Sequence, residues 1–360
     1  MTKITIQPVS TSRISTVDFD NIPFGRTFSD HMFTADYKDG EWGNYQIVPF
    51  GPFEVHPACM ALHYGQAIFE GMKASKSKDG QPMLFRPELH VQRLNASARR
   101  LSMPEFPETA FVDAVEKLVG LEHEWIPPVE GSALYLRPFM FGDGEFIGVS
   151  PSDTYKFIIF TGPVGPYYSK PVRLIAEDHY VRAAIGGVGE AKAAGNYAAS
   201  LLPAAKAKAS GYDQVMWMDA KEFKYIQEAG TMNLFFVIDG KLVTPETDGA
   251  ILKGITRRTL IQIAQDKGIE VIEKRLPIDE VIEAYRAGKL EECFGSGTAA
   301  VVSHVAEITY KDLTMVLPPV EDRKIGKMLK ATIDGLRAGT VEDTNGWVRP
   351  IEKLERVAVS

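Results

Sequence analysis

The chain has 360 residues, of which 45% are hydrophobic and 24% are charged, and its formal net charge is -7. This length exceeds what one small core needs, so we expect a soluble globular protein of two domains. The negative charge and the absence of basic runs argue against a nucleic-acid partner. The start of the chain lacks a secretory apolar core, and no stretch approaches the roughly 18 apolar residues that span a bilayer, so we expect no membrane partner and a cytoplasmic protein.

Cysteine and histidine spacing argue against a metal site. Cys59 and Cys293 are far apart and form no paired motif, so neither a disulfide framework nor a zinc site is expected. The seven histidines show no HExxH-type spacing, and the chain contains no GxxxxGK(S/T) loop or GxSxG elbow. We therefore expect no metal, and a nucleotide hydrolase or a serine hydrolase loses support.

The first half of the chain is predicted to combine strands with covering helices. Asp39 and Gly40 predict the turn of a hairpin. Apolar residues recur at helical spacing over 87–103 and 111–125. The glycine- and proline-rich segment 162–171 follows a predicted buried strand and is expected to end the first domain.

The second half is predicted to be α+β with mixed strands. Strands are expected at 172–176, 214–218, 233–238 and 241–244, with Asp239 and Gly240 joining the last two in a hairpin. Helices are expected at 256–267 and 278–287.

A lysine lies among glycines and alanines in segment 186–197. The small side chains there leave room for a flat ligand, and the low polarity of the segment does little to keep the ammonium group of Lys192 charged. The neutral amine is the form that attacks an aldehyde. The same composition also fits a flexible loop with a solvated lysine, so the segment alone leaves both interpretations open.

Two further segments offer an acid and an anion site. Segment 227–233 places Glu228 at the start of an apolar strand, where a carboxylate could hold a pyridine nitrogen protonated. Segment 254–258 opens a helix whose N–H groups, with the hydroxyl of Thr256, could bind a phosphate. An ordinary turn and an N-cap threonine are the simpler interpretations of these two segments.

Segment 295–300 satisfies the G-x-G-x-x-G/A pattern of dinucleotide-binding turns, which would favour a nicotinamide-dependent oxidoreductase. Such a turn should open a strand–helix–strand unit, but 301–302 and 308–310 are predicted strands without a helix between them. The same glycines could present N–H groups to a phosphate or a carboxylate. A dehydrogenase stays as an alternative from a different class.

Seven segments, taken in order, resemble the branched-chain aminotransferases, a family of fold-type IV pyridoxal-phosphate enzymes. They are HYGQAIFEGMK (63–73), FRP (85–87), LYLRP (134–138), AKAAGNY (191–197), EAGTMN (228–233), GITRR (254–258) and GSGT (295–298). Each is weak alone, but their order and spacing over nearly the whole chain make coincidence implausible. The resemblance implies a transaminase that moves the amino group of leucine, isoleucine or valine to 2-oxoglutarate, with pyridoxal 5'-phosphate as cofactor and ping-pong kinetics.

The resemblance also implies an α+β, two-domain fold of the D-amino-acid aminotransferase type, assembled as a homodimer. Residues 1–163 would form a small α+β domain and 164–171 an interdomain loop. Residues 172–360 would form a larger cofactor-binding domain around a mixed β-barrel-like core.

Carried over residue by residue, the resemblance implies a set of site residues. Lys192 would be the Schiff-base lysine and catalytic base, Glu228 the partner of the pyridine nitrogen, and Tyr197 the hydrogen-bond donor to the ring's phenolic oxygen. The other cofactor-binding residues would be Arg93, Thr231, Ile255, Thr256 and Thr298. The substrate-binding residues would be Phe24, Tyr64, Phe69, Tyr135, Val149, Thr298 and Ala299, with Arg137 for the distal carboxylate of glutamate or 2-oxoglutarate.

Two alternatives share this resemblance. A D-amino-acid aminotransferase or an aminodeoxychorismate lyase would keep Lys192 and Glu228 and differ at the substrate wall, where Phe24, Tyr135 and Arg137 argue against it. A binding protein that kept the fold without activity is disfavoured by the intact lysine, acid and phosphate positions.

Overall fold

The computed structural model describes residues 2–129, 131–165, 170–299 and 301–355. These residues form two compact units. The first holds the described residues of Met1–Tyr167, Ala191–Ala194 and Asp334–Ser360, and the second those of Tyr168–Glu190 and Gly195–Ile333. Part of the predicted interdomain loop, 166–169, lies outside the described residues, so the predicted domain boundaries stay a prediction.

The first unit is built around a sheet of nine strands among the described residues. Its elements begin with β1 (Thr5–Ile6), β2 (His31–Lys38), β3 (Glu41–Pro49), α1 (Met60–Tyr64), β4 (Ala67–Phe69), β5 (Met72–Lys76), β6 (Pro82–Phe85), α2 (Pro87–Arg100), α3 (Glu108–Leu121), β7 (Ala133–Gly142) and β8 (Tyr155–Val164). The strand order is β1-β3-β2-β8-β7-β5-β6 followed by a last strand at Val348–Pro350, and β4 pairs with β7.

The helices predicted at 87–103 and 111–125 are α2 and α3. Leu94 of α2 and Phe111 of α3 are fully buried in the same core as Phe157 of β8. The helical spacing of the apolar residues therefore reports the face that each helix buries against the strands. β4 ends and β5 begins near this core, and Glu70 and Gly71 connect the two strands.

The second unit contains the remaining elements and a larger sheet. In chain order they are β9 (Val172–Ala176), α4 (Ala194–Ala209), β10 (Gln214–Met218), β11 (Tyr225–Ala229), β12 (Met232–Ile238), β13 (Lys241–Pro245), α5 (Ile255–Asp266), β14 (Val271–Lys274), β15 (Leu276–Pro277), α6 (Ile278–Arg286), β16 (Leu290–Gly297), β17 (Val301–Tyr310), β18 (Leu313–Val316) and α7 (Ile325–Arg337), which ends in the first unit. The last strand of the first unit is β19 (Val348–Pro350).

Six strands of the second unit close into a barrel in the order β12-β16-β17-β9-β10-β11, because β11 also pairs with β12. β9 runs parallel to both of its neighbours, whereas the other pairs are antiparallel. The predicted α+β fold class with a mixed β-barrel core is confirmed. No helix of the described chain has the length and apolar character needed to cross a membrane.

Both predicted Asp-Gly turns are confirmed. Asp39 and Gly40 join β2 to β3, and Asp239 and Gly240 join β12 to β13. All four residues have positive φ, between 53° and 88°. A two-residue hairpin turn needs this conformation, which Gly adopts freely and Asp tolerates.

Candidate active site

The segment that carries Lys192 is fixed by backbone hydrogen bonds in the first unit. The N–H of Lys192 donates to Oγ of Ser97 on α2 at 2.9 Å, and its carbonyl accepts the N–H of Phe69 at 3.0 Å. Ala193 forms an antiparallel bridge with Ile68 of β4. The lysine is therefore held on β4 and α2, which argues against the interpretation as a flexible loop.

The Lys192 side chain joins a cluster of aromatic residues around one arginine. Its Nζ lies 4.8 Å from the ring centroid of Phe69, and the guanidinium carbon of Arg137 lies 4.7 Å from the same centroid. Arg137 donates a hydrogen bond to the hydroxyl of Tyr135 at 3.0 Å, and the Tyr135 ring meets Phe24 edge-on at 5.4 Å. The structure thus brings together five of the predicted site residues, namely Phe24, Phe69, Tyr135, Arg137 and Lys192.

Gly71 leaves the space that Tyr135 occupies. A Cβ atom on Gly71 would lie 2.3 Å from the hydroxyl oxygen of Tyr135. Any other residue at this position would displace Tyr135 and its hydrogen bond to Arg137. Segment 63–73 therefore contributes to the aromatic cluster through a missing side chain as well as through Phe69.

Arg93 is held by a buried carboxylate to which the sequence analysis gave no role. Glu70, between β4 and β5, accepts hydrogen bonds from Nε of Arg93 at 2.7 Å, from Nη2 of Arg93 at 2.8 Å and from Nδ1 of His90 at 2.8 Å. Burial by itself raises the pKa of Glu70. The charge of Arg93 and the hydrogen bonds from Arg93 and His90 outweigh burial and hold this pKa well below its usual range. Glu70 is therefore ionised.

His90 is a neutral member of this network. Burial lowers the pKa of His90 below its ordinary value, although Glu70 acts in the opposite direction, so the imidazole is uncharged at pH 7. An ionised carboxylate only accepts hydrogen bonds, which places the imidazole proton on Nδ1. His90, Arg93 and Ser97 are spaced i, i+3 and i+7 on one face of α2. That spacing is the signal by which the sequence could have identified His90 and Ser97.

In the second unit, Glu228 is a buried acid on β11. Its Oε1 accepts hydrogen bonds from Nδ2 of Asn233 at 3.1 Å and from the N–H of Leu252 at 2.8 Å. Its Oε2 lies 3.1 Å from Nε of Arg182, an ion pair that is also buried. The predicted acid is therefore held in a fixed direction, by partners that the sequence analysis did not assign.

The start of α5 packs against the same asparagine. Gly254 is the N-cap residue, no side chain caps the helix, and Ile255 and Thr256 in its first turn are buried. A Cβ atom on Gly254 would lie 2.0 Å from Oδ1 of Asn233. The N-terminus of a helix without a side-chain cap can bind an anion. Glycine at position 254 lets this helix start lie close to Asn233, which orients Glu228.

The described part of segment 295–300, namely 295–299, belongs to a hairpin rather than to a dinucleotide-binding turn. β16 and β17 pair in antiparallel register, with Thr298 and Ala299 in the turn between them; Ala300 lies outside the described residues. Val301 follows with φ of 52°, which is a strained conformation for a β-branched residue. The strand–helix–strand unit that a dehydrogenase requires is not formed here.

Four predicted residues take part in none of the contacts named above, and their roles stay predictions. Val149 is 92% exposed and Tyr64, at the end of α1, is 40% exposed. Thr231 is exposed at the turn between β11 and β12, and Tyr197 lies half-buried in α4. Within the described chain, no group of three or more His, Cys, Asp or Glu residues is placed to hold a metal ion.

Comparison with known proteins gives consistent matches. Residues 67–308 match the model of the family described as amino-transferase class IV. The chain is 48% identical over 335 residues to a probable branched-chain-amino-acid aminotransferase of Staphylococcus aureus (strain MRSA252), covering 92% of this chain and 93% of that protein. It is 45% identical over 359 residues to branched-chain-amino-acid aminotransferase 2 of Bacillus subtilis (strain 168), covering 98% and 99%.

A solved structure resembles the fold as well. The branched-chain amino acid aminotransferase from Escherichia coli aligns with a TM-score of 0.70 and 30% identity, over 89% of this chain and 98% of that chain. The similarity therefore extends over most of both chains.

Proposed function

The chain belongs to the class IV aminotransferase family, and on that premise we propose that it moves the amino group of leucine, isoleucine or valine to 2-oxoglutarate with pyridoxal 5'-phosphate as cofactor. The observation that carries the proposal is the cluster around Phe69. A lysine and an arginine both lie within 4.8 Å of the centroid of this one ring, next to Tyr135 and Phe24. The two substrates require a reactive amine, an apolar wall for the branched side chain and a cation for the distal carboxylate of 2-oxoglutarate.

The described residues fit pyridoxal phosphate. Lys192 supplies the amine to which an aldehyde bonds, and Glu228 supplies a buried, oriented carboxylate for a pyridine nitrogen. Arg93 and the uncapped start of α5, at Ile255 and Thr256, supply the donors that a phosphate requires. We assign Tyr197, Thr231 and Thr298 to the same cofactor on the resemblance alone.

Lys192 carries the proton transfer in the proposed mechanism. The bound cofactor supplies an aldehyde for amine exchange and an electron-poor ring that takes up the charge left by the departing α-proton. Nζ of Lys192 would accept the proton from the substrate α-carbon and deliver it to the carbon of the cofactor's aldehyde group. The backbone hydrogen bonds of Lys192 to Ser97 and Phe69 keep the start of this side chain in place.

Glu228 keeps the ring nitrogen protonated in the proposed mechanism. Asn233 and Leu252 donate to one carboxylate oxygen, and Arg182 lies beside the other. These partners fix the direction in which the carboxylate accepts a further hydrogen bond. A carboxylate stabilises the protonated nitrogen through its charge, which a neutral amide could not do.

The wall accommodates two different side chains. Phe24, Phe69 and Tyr135 offer apolar surface to a branched aliphatic chain. Nε of Arg137 is buried and has no hydrogen-bond partner among the described residues. A buried donor without an acceptor is costly, and the distal carboxylate of glutamate or 2-oxoglutarate would supply that acceptor. We assign Tyr64, Val149 and Ala299 to the substrate on the resemblance alone.

We expect loss of Lys192 to abolish the reaction. Purified protein with pyridoxal phosphate should transfer amino groups from leucine, isoleucine and valine to 2-oxoglutarate, and Lys192→Ala should lower the rate by roughly 10²–10⁴-fold or more because no other group moves the proton. Lys267→Ala is the matched control, since Lys267 is exposed beyond α5. Activity in Lys192→Ala, or wild-type activity with D-alanine and none with leucine, would contradict the proposal.

Arg137→Met should separate the two half-reactions. Methionine keeps an apolar side chain of similar length but cannot meet a second carboxylate, so single-turnover kcat/KM for glutamate should fall about 10–100-fold more than that for leucine. Arg99→Met, on the exposed side of α2, should change neither rate. Equal losses for glutamate and leucine would show that Arg137 only supports the wall.

We also propose that the protein is a cytoplasmic homodimer. Leu62, Ile147 and Val149 of the first unit are 64–92% exposed, and apolar side chains of this size suit burial by a second copy. Sedimentation velocity should give a species of twice 39.8 kDa. Sedimentation at the mass of one chain, at micromolar concentration and with cofactor present, would contradict the dimer.

A further inference from the structure

Glu70 is a charged side chain that is buried away from solvent. It has no exposed surface, and its backbone N–H donates to the carbonyl of Pro138 on β7 at 2.7 Å. The N–H of Gly71 donates to its Oε2 at 3.3 Å. The sheet therefore fixes where this carboxylate lies, independently of its side-chain partners.

Stability alone does not account for the pairing of Glu70 with Arg93. Removing a carboxylate and a guanidinium from water is costly, and apolar residues of similar volume stabilise a core as well or better. Glu70 also cancels the charge of Arg93, so it does not strengthen the long-range attraction of Arg93 for an anion. What the pair supplies is geometry, since the carboxylate engages Nε and Nη2 together and thereby sets the plane of the guanidinium.

His90 is a second hydrogen-bond donor to the same carboxylate. It donates to Oε2 of Glu70, the oxygen that also accepts Nη2 of Arg93. Because His90 is neutral, it prevents the carboxylate from rotating without adding a positive charge that would compete with Arg93. His90 and Arg93 lie one turn apart on α2, so the helix holds both donors at a fixed separation.

We infer that Glu70 and His90 are positioning residues that orient the guanidinium of Arg93 toward the phosphate group of the cofactor. The inference rests on the proposed function, which assigns Arg93 to that phosphate. Glu70 and His90 act through Arg93 and need not touch the cofactor themselves. Their effect must therefore be specific to the phosphate and must disappear when Arg93 is absent.

The test compares two ligands that differ only in the phosphate. Cofactor-free full-length protein is titrated with pyridoxal phosphate and with pyridoxal. The Kd for pyridoxal divided by the Kd for pyridoxal phosphate measures how much the phosphate contributes to binding. In Glu70→Gln this ratio should move toward one by about tenfold, because an amide cannot accept both hydrogen bonds of Arg93. A general disturbance of the fold would weaken the binding of both ligands equally and leave the ratio unchanged.

A double-mutant cycle with Arg93→Met decides whether Glu70 acts through Arg93. Arg93→Met should itself lower the ratio, and adding Glu70→Gln should lower it no further. An unchanged or enhanced ratio in Glu70→Gln would overturn the inference, as would an additional loss in the double variant. Should Glu70→Gln fail to fold by circular dichroism, the His90 variants provide the same test.

His90→Asn keeps a donor near the position of Nδ1, whereas His90→Leu removes it. We expect the ratio of Kd values in His90→Asn to stay within about threefold of wild type and that in His90→Leu to fall about tenfold. Equal ratios in these two variants would remove His90 from the network. Failure of wild type to bind pyridoxal phosphate would contradict the proposed function instead, and equal affinity of wild type for both ligands would contradict the phosphate assignment of Arg93.

Discussion

The candidate site depends on one face of α2. His90 and Arg93 meet the buried carboxylate of Glu70, and Ser97 accepts the backbone N–H of Lys192. Oγ of Ser97 in turn donates to the carbonyl of Arg93 at 3.0 Å, so the same helix face positions a cation and the lysine proposed as the reactive amine. A buried charge that is fully paired has few alternative arrangements, which makes this face a rigid reference for the side chains around it.

Asn233 has a corresponding place in the second unit. Its amide nitrogen donates to Glu228 and to the carbonyl of Leu252, and its oxygen lies where only glycine at position 254 leaves room. One amide thus fixes both the acid and the start of α5. In both units the residues proposed to carry chemistry are oriented by a buried polar side chain that has no role of its own in the proposed reaction, and such support is what a preorganised site requires.

Much of the fold could be predicted because its signals are local. Asp-Gly turns, helical spacing in α2 and α5, and apolar runs in β9, β10 and β12 each reflect the burial of one face or a turn's need for positive φ. α4 was missed because its segment is rich in alanine, contains Pro203, and buries only Asn196, Pro203 and Ala207, so it has no regular apolar stripe. Glu70 and Arg182 were missed for a different reason. Glu70 and Arg182 meet their partners across long stretches of chain, and no spacing in one sequence reveals such pairs.

We propose that the segment docked on β4 and α2 presents Lys192 as the covalent attachment point of the cofactor. Borohydride reduction of the cofactor-loaded protein, followed by proteolysis and mass spectrometry, tests it directly, because reduction makes the bond between the lysine amine and the cofactor permanent. We expect one phosphopyridoxyl group per chain, on the peptide that contains Lys192. The same label on another lysine, or no label in a protein that retains bound cofactor, would contradict it.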